Sequence, residues 1–146
     1  NDRSNIIMNT NIVTTTWKEN MLFESDNPGG HNLLIDTSEE NGGEDAGYRP
    51  KALMLSSLAG CSGLDVVSLL EKMRASIDDF KIIVTGELTE EHPKFYNKIL
   101  VEYHFYGKEL DGEKINKAVN LSVEKYCGVM EMFRQFAIID IKIHLH

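Results

Sequence analysis

The sequence predicts an α+β fold, with strands in antiparallel runs beside a few helices and no strict strand–helix alternation. Two observations carry this. Residues 52–70 hold a single charge, Asp65, and are apolar on every side of a helix. Around them, residues 80–90, 96–106 and 139–146 alternate apolar and polar side chains with the period of a half-buried strand. At 146 residues the chain suits one domain with a sizeable core. That domain is expected over 11–146, with 1–10 a leader or tag remnant and Met8 a natural start.

The elements follow in order. Asn11 to Lys18 is rich in β-branched residues and reads as a strand, and Met21 to Glu24 is the second arm of a hairpin. Asn27-Pro28-Gly29-Gly30 is a turn, and His31 to Asp36 a third short strand. Ser38 to Gly47, acidic and glycine-rich without a period, is expected to be a mobile loop. Pro50 fits the first turn of a helix, where its missing N–H needs no partner. Arg49, just before it, should be extended, and within the stretch to Arg74 the helix has Leu53, Met54, Leu55, Leu58, Leu64, Val66, Val67, Leu69 and Leu70 all round it.

A helix apolar on all sides must be buried on all sides. One copy of the chain has too few layers to cover it, so a homodimer with the two central helices buried together is expected. The length also suits a membrane span. Asp65, the serines and the glycines argue against one, because a carboxylate at mid-span is costly.

Beyond the helix, Phe80, Ile82, Val84 and Leu88 face one way, and Ile99, Val101, Tyr103 and Phe105 continue the pattern in an antiparallel neighbour. Asp111 can cap the next helix. Its inner stripe, Ile115, Ala118, Val119, Ser122, Val123, Tyr126, Cys127 and Met130, follows offsets 0, 3, 4, 7, 8, 11, 12 and 15. Gly128 is expected to break the run before a short helix over Val129 to Phe136. Ile139, Ile141, Ile143 and Leu145 then mark a last strand.

Composition narrows the function. The hydrophobic fraction of 42% and charged fraction of 26% are those of an ordinary soluble globular protein. A net charge of −8 with no basic face disfavours nucleic acid. The N-terminus lacks a long apolar h-region, so a cytoplasmic protein is expected. Two cysteines, Cys61 and Cys127, are too few for a disulfide scaffold and are free, catalytic or redox-sensing.

Gly60-Cys61-Ser62-Gly63 fails as a nucleophile elbow, since Leu64 stands where the second glycine belongs. No zincin, Walker or dinucleotide motif is present, and no cofactor or metal is expected. His144 and His146 share a strand face that could hold a metal, and are read instead as solvent-facing residues at a frayed terminus. That leaves Cys61 and Cys127: either small buried hydrophobes, or a redox pair in which one thiol resolves the sulfenic acid of the other. Cys61 lies about 18 Å along the helix from Arg49, beyond the dipole's reach. An activating cation must therefore come from elsewhere, the choices being Arg3, Lys18, Lys125, Arg134 and Arg49 of the partner subunit.

Pro50, the eleven-residue step to Cys61, the run A-G-C-S-G-L-D-V-V-S-L-L-E-K at 59–72 and E-K-Y-C at 124–127 resemble the OsmC/Ohr family, and within it the YhfA-like branch. The resemblance covers nearly the whole chain from Asn11. It implies an intertwined α+β homodimer with active sites at the subunit interface, reducing organic hydroperoxides at the expense of a thiol reductant. On that analogy Cys61 attacks the peroxide and Cys127 resolves. Peroxidase-active members carry an acidic residue just after the proline, engaging an arginine; here Lys51 and Ala52 stand there. Two other readings stay open: a non-catalytic dimer that binds a small apolar ligand or acts in stress response, and a cysteine-dependent hydrolase or acyl carrier using a distant His31 or His104.

Overall fold

A computed structural model describes residues 9–146, so the expected leader at 1–10 falls almost wholly outside the described residues. The chain forms two compact units that divide after Leu53.

The first unit is a three-stranded antiparallel sheet of β1 (Thr15–Glu19), β2 (Leu22–Asp26) and β3 (Asn32–Ile35), in that order. The hairpin turns at Asn20, whose φ of 51° is left-handed and suits asparagine. The segment expected to be a mobile loop is pinned instead. The buried carboxylate of Asp36 accepts main-chain N–H bonds from Thr37 at 2.7 Å, Glu44 at 3.2 Å and Ala46 at 3.1 Å. These bonds hold the Asp36 carboxyl below its ordinary pKa, Ala46 contributing most and then Thr37. An acidic, aperiodic stretch is thus organised by one acid that lies before it.

The long helix α1 (Pro50–Lys72) leads into the second unit, which continues through β4 (Asp79–Leu88), β5 (Tyr96–Tyr106), α2 (Gly112–Leu121), α3 (Gly128–Arg134) and β6 (Ile138–Leu145). Its sheet has the order β4-β5-β6. β4 and β5 are antiparallel as expected, whereas β6 runs parallel to β5 after the helical crossover. On the inner face, Phe80 stacks on Phe105 with centroids 4.4 Å apart. Val101, Tyr103 and Phe105 are fully buried there. Leu88 does not join them: a register shift between Glu87 and Leu88 leaves it 43% exposed.

α1 is long and apolar enough to cross a membrane by length and composition. It is not buried on all sides within one chain. Leu58, Ser62, Val66 and Leu70, each four apart, form its buried stripe. Leu64 on the far side is 76% exposed and Val67 50%. Gly63 sits where an added Cβ would lie 3.2 Å from the Ile82 side chain, so close approach to the sheet favours glycine.

Asp111 caps α2 as expected, its carboxylate accepting the Lys114 N–H at 3.1 Å. Ile115, Ala118, Val119 and Ser122 face inward and are fully buried. Over Ser122–Tyr126 the helix widens into a π-turn, which adds one residue to the repeat. Cys127 and Met130 still reach the core, but Tyr126, expected inside, is 50% exposed. The break comes at Cys127, which is extended (φ −77°, ψ 102°) and caps α3, one residue earlier than expected. The C-terminal strand does not fray either, because the His146 N–H donates to the Phe105 carbonyl at 2.8 Å.

Candidate active site

Cys61 lies about three turns into α1, on the flank of the buried stripe, half-buried and packed against the core. Cys127 is only 3% exposed. As the cap residue of α3, its sulfur accepts the Met130 N–H at 3.3 Å. The fold sets the two distant cysteines, both free thiols, near enough for Cys61 to act on the titration of Cys127. Burial pushes the Cys127 thiol up to about 12, reinforced by Cys61 and by the negative charge of Asp65, with the Met130 N–H acting in the opposite direction. Cys127 is therefore a protonated thiol at neutral pH.

Beneath the pair runs a line of hydroxyls that sequence reasoning missed. Ser62 Oγ lies 2.6 Å from the Tyr103 hydroxyl and 2.8 Å from Ser122 Oγ. Ser122 Oγ in turn donates to Asp65 Oδ2 at 3.0 Å. One ordering satisfies every hydroxyl: Tyr103 donates to Ser62, Ser62 to Ser122, and Ser122 to the carboxylate. Burial raises Tyr103 to about 12, the Ser62 bond opposing this and the charges of Cys127 and Asp65 adding to it. The line ties the helix bearing Cys61 to the turn bearing Cys127. The available signal was Ser122 itself, a polar residue within an apolar stripe.

Beside this line, Asp65, Ser68, Leu69, Lys72 and the outward Tyr126 line a pocket of about 190 Å³. The pocket begins one helical turn beyond Cys61.

The candidate cations are engaged with other groups. Lys18 pairs with Glu24 at 3.4 Å and Arg49 with Asp45 at 2.8 Å. Arg134 pairs with Glu131 and also donates to the Val123 carbonyl. Lys125 lies 5.2 Å from the centre of the Tyr126 ring, and Arg3 falls outside the described residues. The hydrolase reading loses His104, because strand alternation sets it on the face opposite Tyr103 and the serines.

The family model for OsmC-like protein matches residues 42–142. The chain belongs to the OsmC-like family. Protein YhfA of Escherichia coli (strain K12) is 34% identical over 119 residues, 82% of this chain and 86% of that protein. A crystal structure of a hypothetical protein from Aquifex aeolicus VF5 superposes with a TM-score of 0.83 at 32% identity, covering 95% of this chain and 98% of that one. An organic hydroperoxide resistance protein OsmC from Legionella pneumophila shares the fold with a TM-score of 0.66 at 17% identity, over 94% and 98% of the two chains. The α+β expectation and the family resemblance both hold.

Proposed function

We propose that this OsmC-like protein is a cytoplasmic, homodimeric thiol peroxidase that reduces organic hydroperoxides, with Cys61 attacking and Cys127 resolving. The observation that carries the reading is the nearness of a half-buried thiol, Cys61, to a buried one, Cys127, whose titration it shifts. The name of the Legionella pneumophila neighbour points to the same substrate class.

The Cys61 sulfur attacks the distal peroxide oxygen, the O–O bond breaks, and the alkoxide leaves as an alcohol with the thiol proton. Cys61 becomes a sulfenic acid, having lost two electrons to the peroxide. The Cys127 thiol then displaces the sulfenic hydroxyl, which leaves as water with the Cys127 proton, and an S–S bond forms. Two molecules of a small thiol reduce this disulfide and leave as their own disulfide. The high pKa keeps Cys127 neutral beside Cys61 in the first step; in the second its proton must leave as its sulfur attacks, and departs with the water.

The exposed apolar face of α1, with Leu64 and Val67, supports a homodimer that buries it. The experiment is sulfenic acid trapping in Cys127→Ser. Cumene hydroperoxide followed by dimedone should place one adduct on Cys61 and none on Cys61→Ser. An unmodified Cys61 that persists through excess peroxide rules the proposal out.

A further inference from the structure

The outer face of the β4-β5-β6 sheet carries a cluster that the thiol chemistry leaves unused. Glu102 and His104 are two apart on β5, as are His144 and His146 at the end of the chain, so each pair shares a face. Parallel pairing sets His104 directly beside His144. Glu102 Oε2 lies 3.0 Å from His144 Nε2. One ligand atom from each of Glu102, His104 and His144 falls within 4.8 Å of the other two.

We propose that Glu102, His104 and His144 form a binding site for a divalent transition-metal ion of the zinc class, with His146 fixing the tautomer of His104. Zinc bonds nitrogen and oxygen at about 2.0–2.2 Å, so neighbouring donors in a tetrahedral site lie roughly 3.3 Å apart. The Glu102–His144 pair already has nearly that span, and an ion can replace the proton they share. His104 Nδ1 lies 2.9 Å from His146 Nε2. When His104 donates through Nδ1, its Nε2 is left as a lone pair. That Nε2 is buried with no hydrogen-bond partner, so it lacks the partner that an ion would supply.

The His104 ring lies stacked beside that of His144, 4.4 Å between centroids, which keeps the two imidazoles together on this face. A ligating histidine held through its other nitrogen is the usual outer arrangement of such sites. Two imidazoles with one carboxylate suit zinc, nickel or copper better than magnesium or calcium. Lys142 faces Glu102 across the strands, and as an exposed side chain it can swing into solvent.

The test uses the full chain carrying Cys61→Ser and Cys127→Ser, so that thiols cannot supply the ligands. Calorimetry should show one Zn²⁺ per chain at micromolar affinity. Co²⁺ should give a d–d spectrum without a thiolate charge-transfer band. His104→Ala and His144→Ala should each abolish stoichiometric binding with unchanged circular dichroism, and His146→Ala should weaken it roughly 10–100-fold. Absence of Zn²⁺ binding, or full binding by both His104→Ala and His144→Ala, overturns the site. If a histidine variant fails to fold, Glu102→Gln decides: weakened binding supports the site and unchanged binding overturns it. Failure here leaves the thiol reaction untouched, because the two sites lie on opposite faces of β5.

Discussion

The Cys127 main-chain N–H donates to the Ser122 carbonyl at 2.8 Å, a bond that spans five residues where an α-helix spans four. This wide turn directs Tyr126 outward and turns the Cys127 side chain into the core, on the side of Cys61. The same Ser122 uses its side chain to hold Asp65 and Ser62 on α1. Ser122 thus acts as a positioning residue for the thiol pair.

Ser122→Ala should remove the side-chain bonds to Ser62 and Asp65 and leave the Ser62 hydroxyl without its acceptor. A loss of about 1–3 kcal/mol is expected from stranding buried polar groups, read as a lower urea midpoint. Disulfide formation after peroxide should also slow, because the turn that carries Cys127 loosens. Tyr103→Phe, which removes only the first hydroxyl of the line, should cost less.

Much of this was legible in the sequence. Period-two alternation found β4, β5 and β6, and the 3.6-residue repeat placed Ile115 through Ser122 correctly. It failed at Tyr126 because a π-turn adds a residue without altering composition. The neighbourhood of His104, His144 and His146 was hidden for a different reason. It depends on the parallel register between β5 and β6, which sequence patterning of either strand alone does not contain. The apolar circumference of α1 was read correctly, but one chain buries only the stripe through Leu58 and Leu70.

Alkaline pH should destabilise the protein through Cys127. Its folded pKa of about 12 exceeds the ordinary thiol value near 8.5. Between those values the unfolded chain has lost a proton that the folded chain keeps, so stability falls as pH rises from about 9 towards 12. Tyr103, also raised to about 12, acts in the same direction over the upper part of that window. Urea midpoints measured from pH 8 to 11 should decline more steeply for the wild type than for Cys127→Ala.

Leu64 is the most exposed apolar residue of α1, at 76%. Leu64→Glu would place a charge in the proposed helix–helix contact and should convert a dimer into a monomer in sedimentation velocity. A wild-type monomer at high concentration, or a dimer unaffected by Leu64→Glu, would show that this face is not the interface.

Asp36→Asn should release the segment 37–46. An amide has one carbonyl oxygen in place of the two carboxylate oxygens that accept from Thr37, Glu44 and Ala46. Limited proteolysis should cut the variant within that segment much faster than the wild type, with the second unit intact. Acidification towards the depressed Asp36 pKa should reproduce the effect, since stability from a lowered carboxylate is present above its unfolded value and lost below it.

The central claim is that Cys61 and Cys127 act as one redox pair. Its most direct measurement is the thiol count and intact mass of the reduced protein after one equivalent of cumene hydroperoxide. The expected result is loss of both thiols with a mass decrease of two hydrogens, and a peptide map joining Cys61 to Cys127 within one chain. Two titratable thiols and an unchanged mass after that equivalent would contradict it.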